Sequence, residues 1–398
     1  MKPRVKRVAI FALKIAILVG LLEYARRQSQ IADEIAVLAP GANLGGELVG
    51  EGIRLKVVGE SDTARAPLEY RVATPSGKEV VLSANEVDGS PGRAASEPSP
   101  ARFSLLPGLA TLFRTLDWSL LGLAFVAFGP PLFLMAVRWR LLLVASGIRV
   151  PFWILVRLHY MAFFFNTFMP GGAGGDIIKA VYVTRHSSQG AEAATMVLID
   201  RVIGMAGLLV MAGAVVSFNY DELKGVALEI GVVSLALIAL FALFFSTAFR
   251  RLIRYDAIIE RLPRSEVWKR VDAALLGLGQ KKGRLLAALG LTICLQLIEV
   301  VGVWLAGQAL GLRRASFIHY LAFVPMGYLF NALPLSFGGI GLMEGAYLKL
   351  FRDAGVATAT QGFMLGVLAR LIVVGWSLVG ALSAFFPPRE AEPAPETT

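Results

Sequence analysis

"FFFNTFMPGGAGGDIIKA", residues 163–180, sets an asparagine, a proline, four glycines and an aspartate inside one of the most apolar parts of the chain. A helix that simply crosses a bilayer has no use for Pro-Gly-Gly-Ala-Gly-Gly. A soluble loop has no use for the three phenylalanines before it. The stretch reads as a helix broken at membrane depth and restarted at Asp-Ile-Ile-Lys. Non-helical backbone is tolerated there only where it is buried in protein or lines a wet cavity.

The surroundings support membrane depth. The chain has 398 residues, of which 56% are hydrophobic and 17% charged, with a mean hydropathy of +0.64. Soluble domains carry about 25% charged residues. Several apolar runs approach the ~20 residues that cross ~30 Å of hydrocarbon, and the alternating segments of a β-barrel are absent. The net charge of +10 flanks apolar spans, so it reads as topology and not as a nucleic-acid surface. No nucleic acid, metal or cofactor is expected. His159, His186 and His319 lack ligand spacing, and Cys294, the only cysteine, reads as a small core residue.

Four segments follow along the chain. Residues 1–24 combine a basic start with an apolar run and no clean cleavage site, and read as an uncleaved anchor with a cytoplasmic N-terminus. Residues 25–115 are polar and rich in Gly and Pro. There "IRLKVV" (53–58), "LEYRVAT" (68–74) and "KEVVLSA" (78–84) predict strands, "PSGK" (75–78) predicts a turn, and "DGSPGRAASEPSPA" predicts a linker. This insert is expected outside the cytoplasm, as a spacer or as a docking surface for a partner through 44–100. Residues 116–386 form the transmembrane core, with spans near 117–137, 195–217, 226–248, 285–309 and 361–386. Residues 387–398 read as a disordered tail.

Charge then orders the crossings. The loop 249–284 holds ten Lys or Arg against four Asp or Glu and is expected to be cytoplasmic. With the N-terminus inside, residues 25–116 lie outside and Arg138-Trp139-Arg140 lies inside as an interfacial anchor. If 151–182 crossed the bilayer, the basic loop would fall outside. If it enters and returns, the loop falls inside. The count predicts a re-entrant hairpin entered from the cytoplasm.

A second segment repeats the first. "GIRVPFWILVRLHYMAFFFNTFMPGGAGGD" starts at Gly147, and "GLRRASFIHYLAFVPMGYLFNALPLSFGGIGLME" starts at Gly311. His159-Tyr160 matches His319-Tyr320, Asn166 matches Asn331, Pro170 matches Pro334, and Asp176 matches Glu344. The second copy has roughly five extra residues before its Asn. Chance similarity of two apolar segments is the bland alternative. The charge count has the copies entering from opposite faces, and paired Gly/Pro-interrupted segments in inverted repeats point to a transporter's central site. The expected fold is therefore an all-α polytopic membrane protein with about six full spans, two re-entrant hairpins in an inverted repeat, and a small β-rich insert.

Candidate functional residues come from this core. "GGAGGDIIK" lacks the GxxxxGK[ST] of a phosphate loop, and "GGIGLMEG" lacks GxGxxG. Gly171, Gly172, Gly174, Gly175, Gly338, Gly339 and Gly341 instead allow sharp turns and close approach. Asp176 is placed to cap the restarted helix, whose N–H groups could hold an anion. Asp200, Arg201, Glu299, Glu344 and Arg370 are ionisable groups inside apolar spans, which are functional candidates by default. Intramembrane ion pairing, such as Glu299 with Arg370, is the structural alternative. No catalytic constellation is present, so an enzyme is not expected.

The segments "FFFNTFMPGGAGGDIIKA", "MVLIDRVIG" and "GGIGLMEGA" together resemble the lysylphosphatidylglycerol synthase transmembrane-region family, also called flippase-like domain proteins. In that family a Phe-Asn-x-x-x-Pro-Gly-Gly-x-Gly-Gly-Asp segment, an Asp-Arg-x-x-Gly segment and a Gly-Gly-x-Gly-x-x-Glu segment occur in this order. The resemblance covers roughly 117–386. It implies movement of a lipid between leaflets of the cytoplasmic membrane. The synthase activity belongs to a separate soluble aminoacyltransferase domain, which is not expected here. In the expected site Lys179, Arg201 and Arg370 offer positive potential to a phosphate. Asp200 and Glu344 engage a cationic head group or set the cavity charge, and Asn166 and Asn331 hydrogen-bond the head group or the hairpin backbone. Two other readings stay open: a polyprenyl-phosphate-dependent glycosyltransferase accessory, and a non-transporting membrane scaffold.

Overall fold

The computed structural model describes residues 34–37, 42–44, 47–49, 53–60, 69–83, 87–88, 103–169, 174–185, 190–245, 251, 282–332 and 340–385. The expected anchor 1–24, the linker, most of the basic loop, the tail 387–398, and Pro170, Gly171, Gly172, Pro334, Gly338 and Gly339 lie outside the described residues.

The N-terminal part is a small sheet. Its strands are β1 (Glu34–Val37), β2 (Ala42–Leu44), β3 (Glu47–Val49), β4 (Arg54–Glu60), β5 (Glu69–Ala73), β6 (Glu79–Ser83), β7 (Val87–Asp88) and β8 (Phe103–Leu106). Six strands run in the order β6-β5-β4-β1-β8-β7, and β2 pairs with β3 separately. All pairings are antiparallel except β7 with β8. The three expected strands are β4, β5 and β6. The expected turn is the β5–β6 link, where Thr74 N–H donates to the Lys78 carbonyl at 2.9 Å. Val37, Leu55, Tyr70, Val72 and Leu82 alternate onto one buried face, as a half-buried sheet requires.

Eleven helices follow among the described residues: α1 (Leu109–Arg114), α2 (Trp118–Ala127), α3 (Gly129–Ala145), α4 (Phe152–Phe168), α5 (Gly174–Arg185), α6 (Gly190–Phe218), α7 (Tyr220–Phe245), α8 (Lys282–Ala309), α9 (Phe317–Ala332), α10 (Leu342–Asp353) and α11 (Ala359–Phe385). Asp117 caps α2, its Oδ1 accepting from the N–H groups of Ser119 and Leu120 at 2.9 and 3.1 Å. Four stretches are long and apolar enough to cross a membrane: Trp118–Ala145, Thr195–Phe218, Gly283–Ala309 and Ala359–Ser383. These four correspond to the expected spans near 117–137, 195–217, 285–309 and 361–386; the expected anchor span lies outside the described residues. The expected span at 226–248 falls on α7 up to Phe245.

Both broken segments fold back on themselves. In the first, Asn166 near the end of α4 meets Gly175 at the start of α5, and His159 meets Lys179. This order makes α4 and α5 antiparallel. In the second, the Phe351 ring of α10 packs on Phe323 and Tyr320 of α9 at 5.0 and 5.1 Å, while Tyr347 lies against Gly327. The helices around the two hairpins make matching contacts. α4 packs on α11 and α9 on α6; α5 packs on α6 and α10 on α11; α3 packs on α4 and α8 on α9; α3 packs on α6 and α8 on α11.

Cys294 faces outward and is exposed. It is not the core residue expected, because it shares the outer side of α8 with Leu297 and Val301. Gly175 is the tightest point of the first hairpin: a Cβ there would run into the carbonyl oxygen of Ala162. Gly175→Ala is expected to lower stability by about 1–3 kcal/mol, the range for overpacking. Unfolding of the purified protein by titration with sodium dodecyl sulfate would measure it, and an unchanged midpoint would show that the hairpin tip can open without cost.

Candidate functional site

A helix broken in apolar surroundings leaves N–H groups without partners. The first hairpin answers with Asn166, whose Oδ1 accepts from the Gly175 N–H at 2.7 Å. Asp176, expected to cap α5, makes no cap hydrogen bond among the described residues. It stands in the first turn and pairs with Arg201 Nε at 2.7 Å, so the negative charge favoured by the helix dipole is shared with a cation of α6. Gly174 packs against Met169. The second hairpin is built alike. Gly341 enters α10 with φ +87, a conformation open chiefly to glycine, and its N–H donates to Glu344 Oε2 at 2.8 Å. Glu344 Oε1 accepts from Arg370 Nε at 2.9 Å, and Arg370 Nη1 donates to Asn331 Oδ1 at 3.1 Å. Each hairpin thus joins an asparagine, the start of a restarted helix, an acid in that helix's first turn, and an arginine from the next long helix.

A third group lies deeper. Arg138 on α3 donates from Nε to Asp200 Oδ1 on α6 at 2.8 Å and from Nη1 to Thr292 Oγ1 on α8 at 3.0 Å. Lys179 Nζ is 3.8 Å from Asp200 Oδ2 and 2.9 Å from His159 Nε2. It also sits 5.1 Å from the centre of the Trp139 ring. Arg138, Lys179, Asp200 and His159 are all 4–6% exposed. One carboxylate therefore serves two buried cations on two different helices. The Trp139 indole N–H has no hydrogen-bond partner among the described residues. Beside this group Gln296 of α8 donates to the Gly204 carbonyl at 2.9 Å, so the Asp200-Arg201-x-x-Gly204 run is tied to α8 directly at Gly204 and through Arg138 and Thr292 at Asp200.

The structure therefore gathers Asn166, Gly174, Gly175, Asp176 and Arg201 at one break and Asn331, Gly341, Glu344 and Arg370 at the other. Lys179 and Asp200 join a group centred on Arg138, Trp139 and His159, which the sequence reading had not chosen. Arg138 and Trp139 had read as an interfacial anchor. The helix instead continues for two turns past them to Ala145, and both side chains are buried. The apolar Leu141-Leu142-Leu143-Val144-Ala145 after the arginines was the signal. The Glu299–Arg370 ion pair offered as the structural alternative is not formed, since Arg370 is bound to Glu344. Glu299 makes no hydrogen bond or ion pair among the described residues. Among these residues no cluster of His, Cys, Asp or Glu is arranged to hold a metal.

Long apolar helices, hairpins broken at charged tips and ion pairs buried between helices define a multi-pass helical membrane protein. The chain belongs to the family described as the lysylphosphatidylglycerol synthase TM region, which matches residues 104–381. The match takes in ten of the helices and most of α11, and leaves out nearly all of the sheet. That family is a membrane domain associated with lipid-related function. Against curated proteins the chain finds no match.

Breaking a buried ion pair by removing one partner costs about 3–5 kcal/mol. Asp200→Asn, which strands both Arg138 and Lys179, is expected to lose an amount in that range. Adding Arg138→Gln should recover part of it, with a coupling of about 1–3 kcal/mol. A double-mutant cycle on unfolding in detergent checks this, and strict additivity would show that the pair contributes nothing as a pair.

Proposed function

We propose that this protein translocates a lipid with an anionic or zwitterionic head group between the leaflets of a cytoplasmic membrane, and that it does so without being an enzyme. The observation that carries the reading is the matched pair of hairpin tips. Asp176 and Arg201 are 25 residues apart and Glu344 and Arg370 are 26 apart, each beside the asparagine that ends the preceding helix. Two equivalent polar tips in an apolar bundle are what an inverted repeat with re-entrant hairpins would place along a head-group path.

The chemistry fits a phosphate. Arg201 and Arg370 are forked donors suited to phosphate oxygens. Each is paired with a carboxylate that a phosphate could replace. Asn166 and Asn331 supply neutral hydrogen bonds. At Arg370, whose side chain is 11% exposed, exchange of one anion for another avoids paying for its dehydration again. The surrounding helices present long apolar side chains outward, among them Val126, Leu228, Leu286 and Leu382, which suits a lipid tail that stays in the hydrocarbon while its head group passes. The family's lipid association agrees with this reading.

The test is movement of tail-labelled phosphatidylglycerol in proteoliposomes, read by chemical quenching of the outer leaflet. Protein-containing vesicles are expected to expose label that protein-free vesicles keep inside. Glu344→Gln and Arg201→Gln are expected to slow this by roughly tenfold or more, the worth of one hydrogen bond to a charged group. Equal quenching with and without protein, for this lipid and for zwitterionic and polyprenyl-phosphate probes, would end the reading.

A further inference from the structure

Glu299 stands apart from the other buried charges. It lies on the inward side of α8, in the sector shared with Thr292, Leu295 and Val303, all 0–1% exposed, while Cys294, Leu297 and Val301 face outward. At 3.6 residues per turn, a residue at position 299 points into the protein. Glu299 keeps a little accessible surface that Thr292, Leu295 and Val303 lack, and its sector faces the space between the packed helices.

The groups around that space leave Glu299 unmatched. From α2 no charged residue faces it, because Trp118–Ala127 contains none. From α3 comes Arg138, whose charge reaches Glu299 but whose donors are taken by Asp200 of α6 and Thr292. From α9 and α10 come Tyr328 and Tyr347, close enough to interact electrostatically with it. Both phenol hydroxyls are buried without a hydrogen-bond partner among the described residues. Arg370 of α11 reaches the same phenols but is bound to Glu344 and Asn331. Of the other titratable groups of α9, His319 is turned to Glu222 and Ser316, and the Tyr320 hydroxyl lies against Gly307 of α8. An ionised Glu299 is a costly charge at membrane depth. A protonated Glu299 is neutral and avoids that cost.

We propose that Glu299 is a proton-binding site, loaded from one face of the membrane and emptied to the other, which couples lipid movement to a proton gradient. The inference rests on the translocation reading above. Its chemistry is one bond: a carboxylate oxygen takes a proton from water to give the acid, and the same bond breaks on release. Loading removes one negative charge from the interior of the bundle, near two phenols that feel it. The Arg370–Glu344 pair at the second hairpin tip interacts with Tyr347, so the proton's arrival is felt where the head group would bind.

Two measurements on the full chain in vesicles of phosphatidylethanolamine and phosphatidylglycerol decide it. Infrared difference spectra across a pH titration read carboxyl protonation directly, whether or not lipid moves. A titrating carboxylic-acid band is expected in the wild type, lost in Glu299→Gln and retained, shifted, in Glu299→Asp. Persistence of the band in Glu299→Gln overturns the site. Transport of tail-labelled phosphatidylglycerol is then read with and without an imposed pH gradient. The wild type is expected to be stimulated by the gradient and Glu299→Gln to lose that stimulation while still moving the label. Wild-type transport indifferent to the gradient overturns the coupling. Absence of any lipid movement, with the band still lost in Glu299→Gln, would overturn the translocation reading and the coupling but not the proton site.

Discussion

An interrupted helix in apolar surroundings must find partners for the backbone groups it exposes, and most of this architecture follows from how it finds them. Asn166 takes the Gly175 N–H and Glu344 takes the Gly341 N–H. Each solution brings a polar side chain to a place where water is scarce, and each creates a further demand. Glu344 cannot remain alone, so Arg370 comes from α11. Asp176 cannot remain alone, so Arg201 comes from α6. The breaks thereby fix which long helix lies beside each hairpin. The packing of α5 on α6 and α10 on α11 expresses the same constraint in side-chain contacts.

What was legible in the sequence follows from this. The breaks announce themselves, because Pro and Gly in an apolar run have few other meanings. The acids and arginines inside apolar spans announce themselves by cost. The three strands of the insert with clear alternation and a turn between two of them were also readable. Arg138 was not, since an arginine beside a tryptophan at the end of an apolar run is the ordinary mark of a membrane interface. Only the partner, Asp200 sixty-two residues away, makes it interior. The capping of α5 by Asn166 was likewise hidden. An aspartate just after glycines is the commoner cap, and only the antiparallel fold of the hairpin brings Asn166 nine residues back into reach. Long-range pairing decides such cases, and local pattern does not carry it.

Aligned on their acid–arginine pairs, the two hairpin units differ in a consistent way. Three residues after Asp176 stands Lys179; three after Glu344 stands Tyr347. One residue before Arg201 stands Asp200; one before Arg370 stands Ala369. A lysine and an aspartate that face each other in the first unit are replaced together by a tyrosine and an alanine, both buried, in the second. Replacing only the aspartate would have left buried cations uncompensated, at a cost of several kcal/mol. That the two positions change jointly is what an interaction maintained as a unit requires.

The same alignment gives Glu299 its context. Arg138 stands 21 residues before His159 and Glu299 stands 20 before His319, so the two long helices α3 and α8 each bring one ionisable group inward at nearly the same place. In the first unit that group meets an acid and is fixed by it. In the second the cation that could have met it is absent, since Tyr347 stands where Lys179 would be, and Arg370 is taken by Glu344. A purely structural role would favour a neutral residue at 299, because an unpaired carboxyl in this position costs free energy in its charged form and contributes no pair to packing. The first unit carries its charges locked and the second carries one free to change. An asymmetry of that kind, laid over two otherwise similar hairpins, gives the molecule a rigid half and a half whose interior charge varies with protonation.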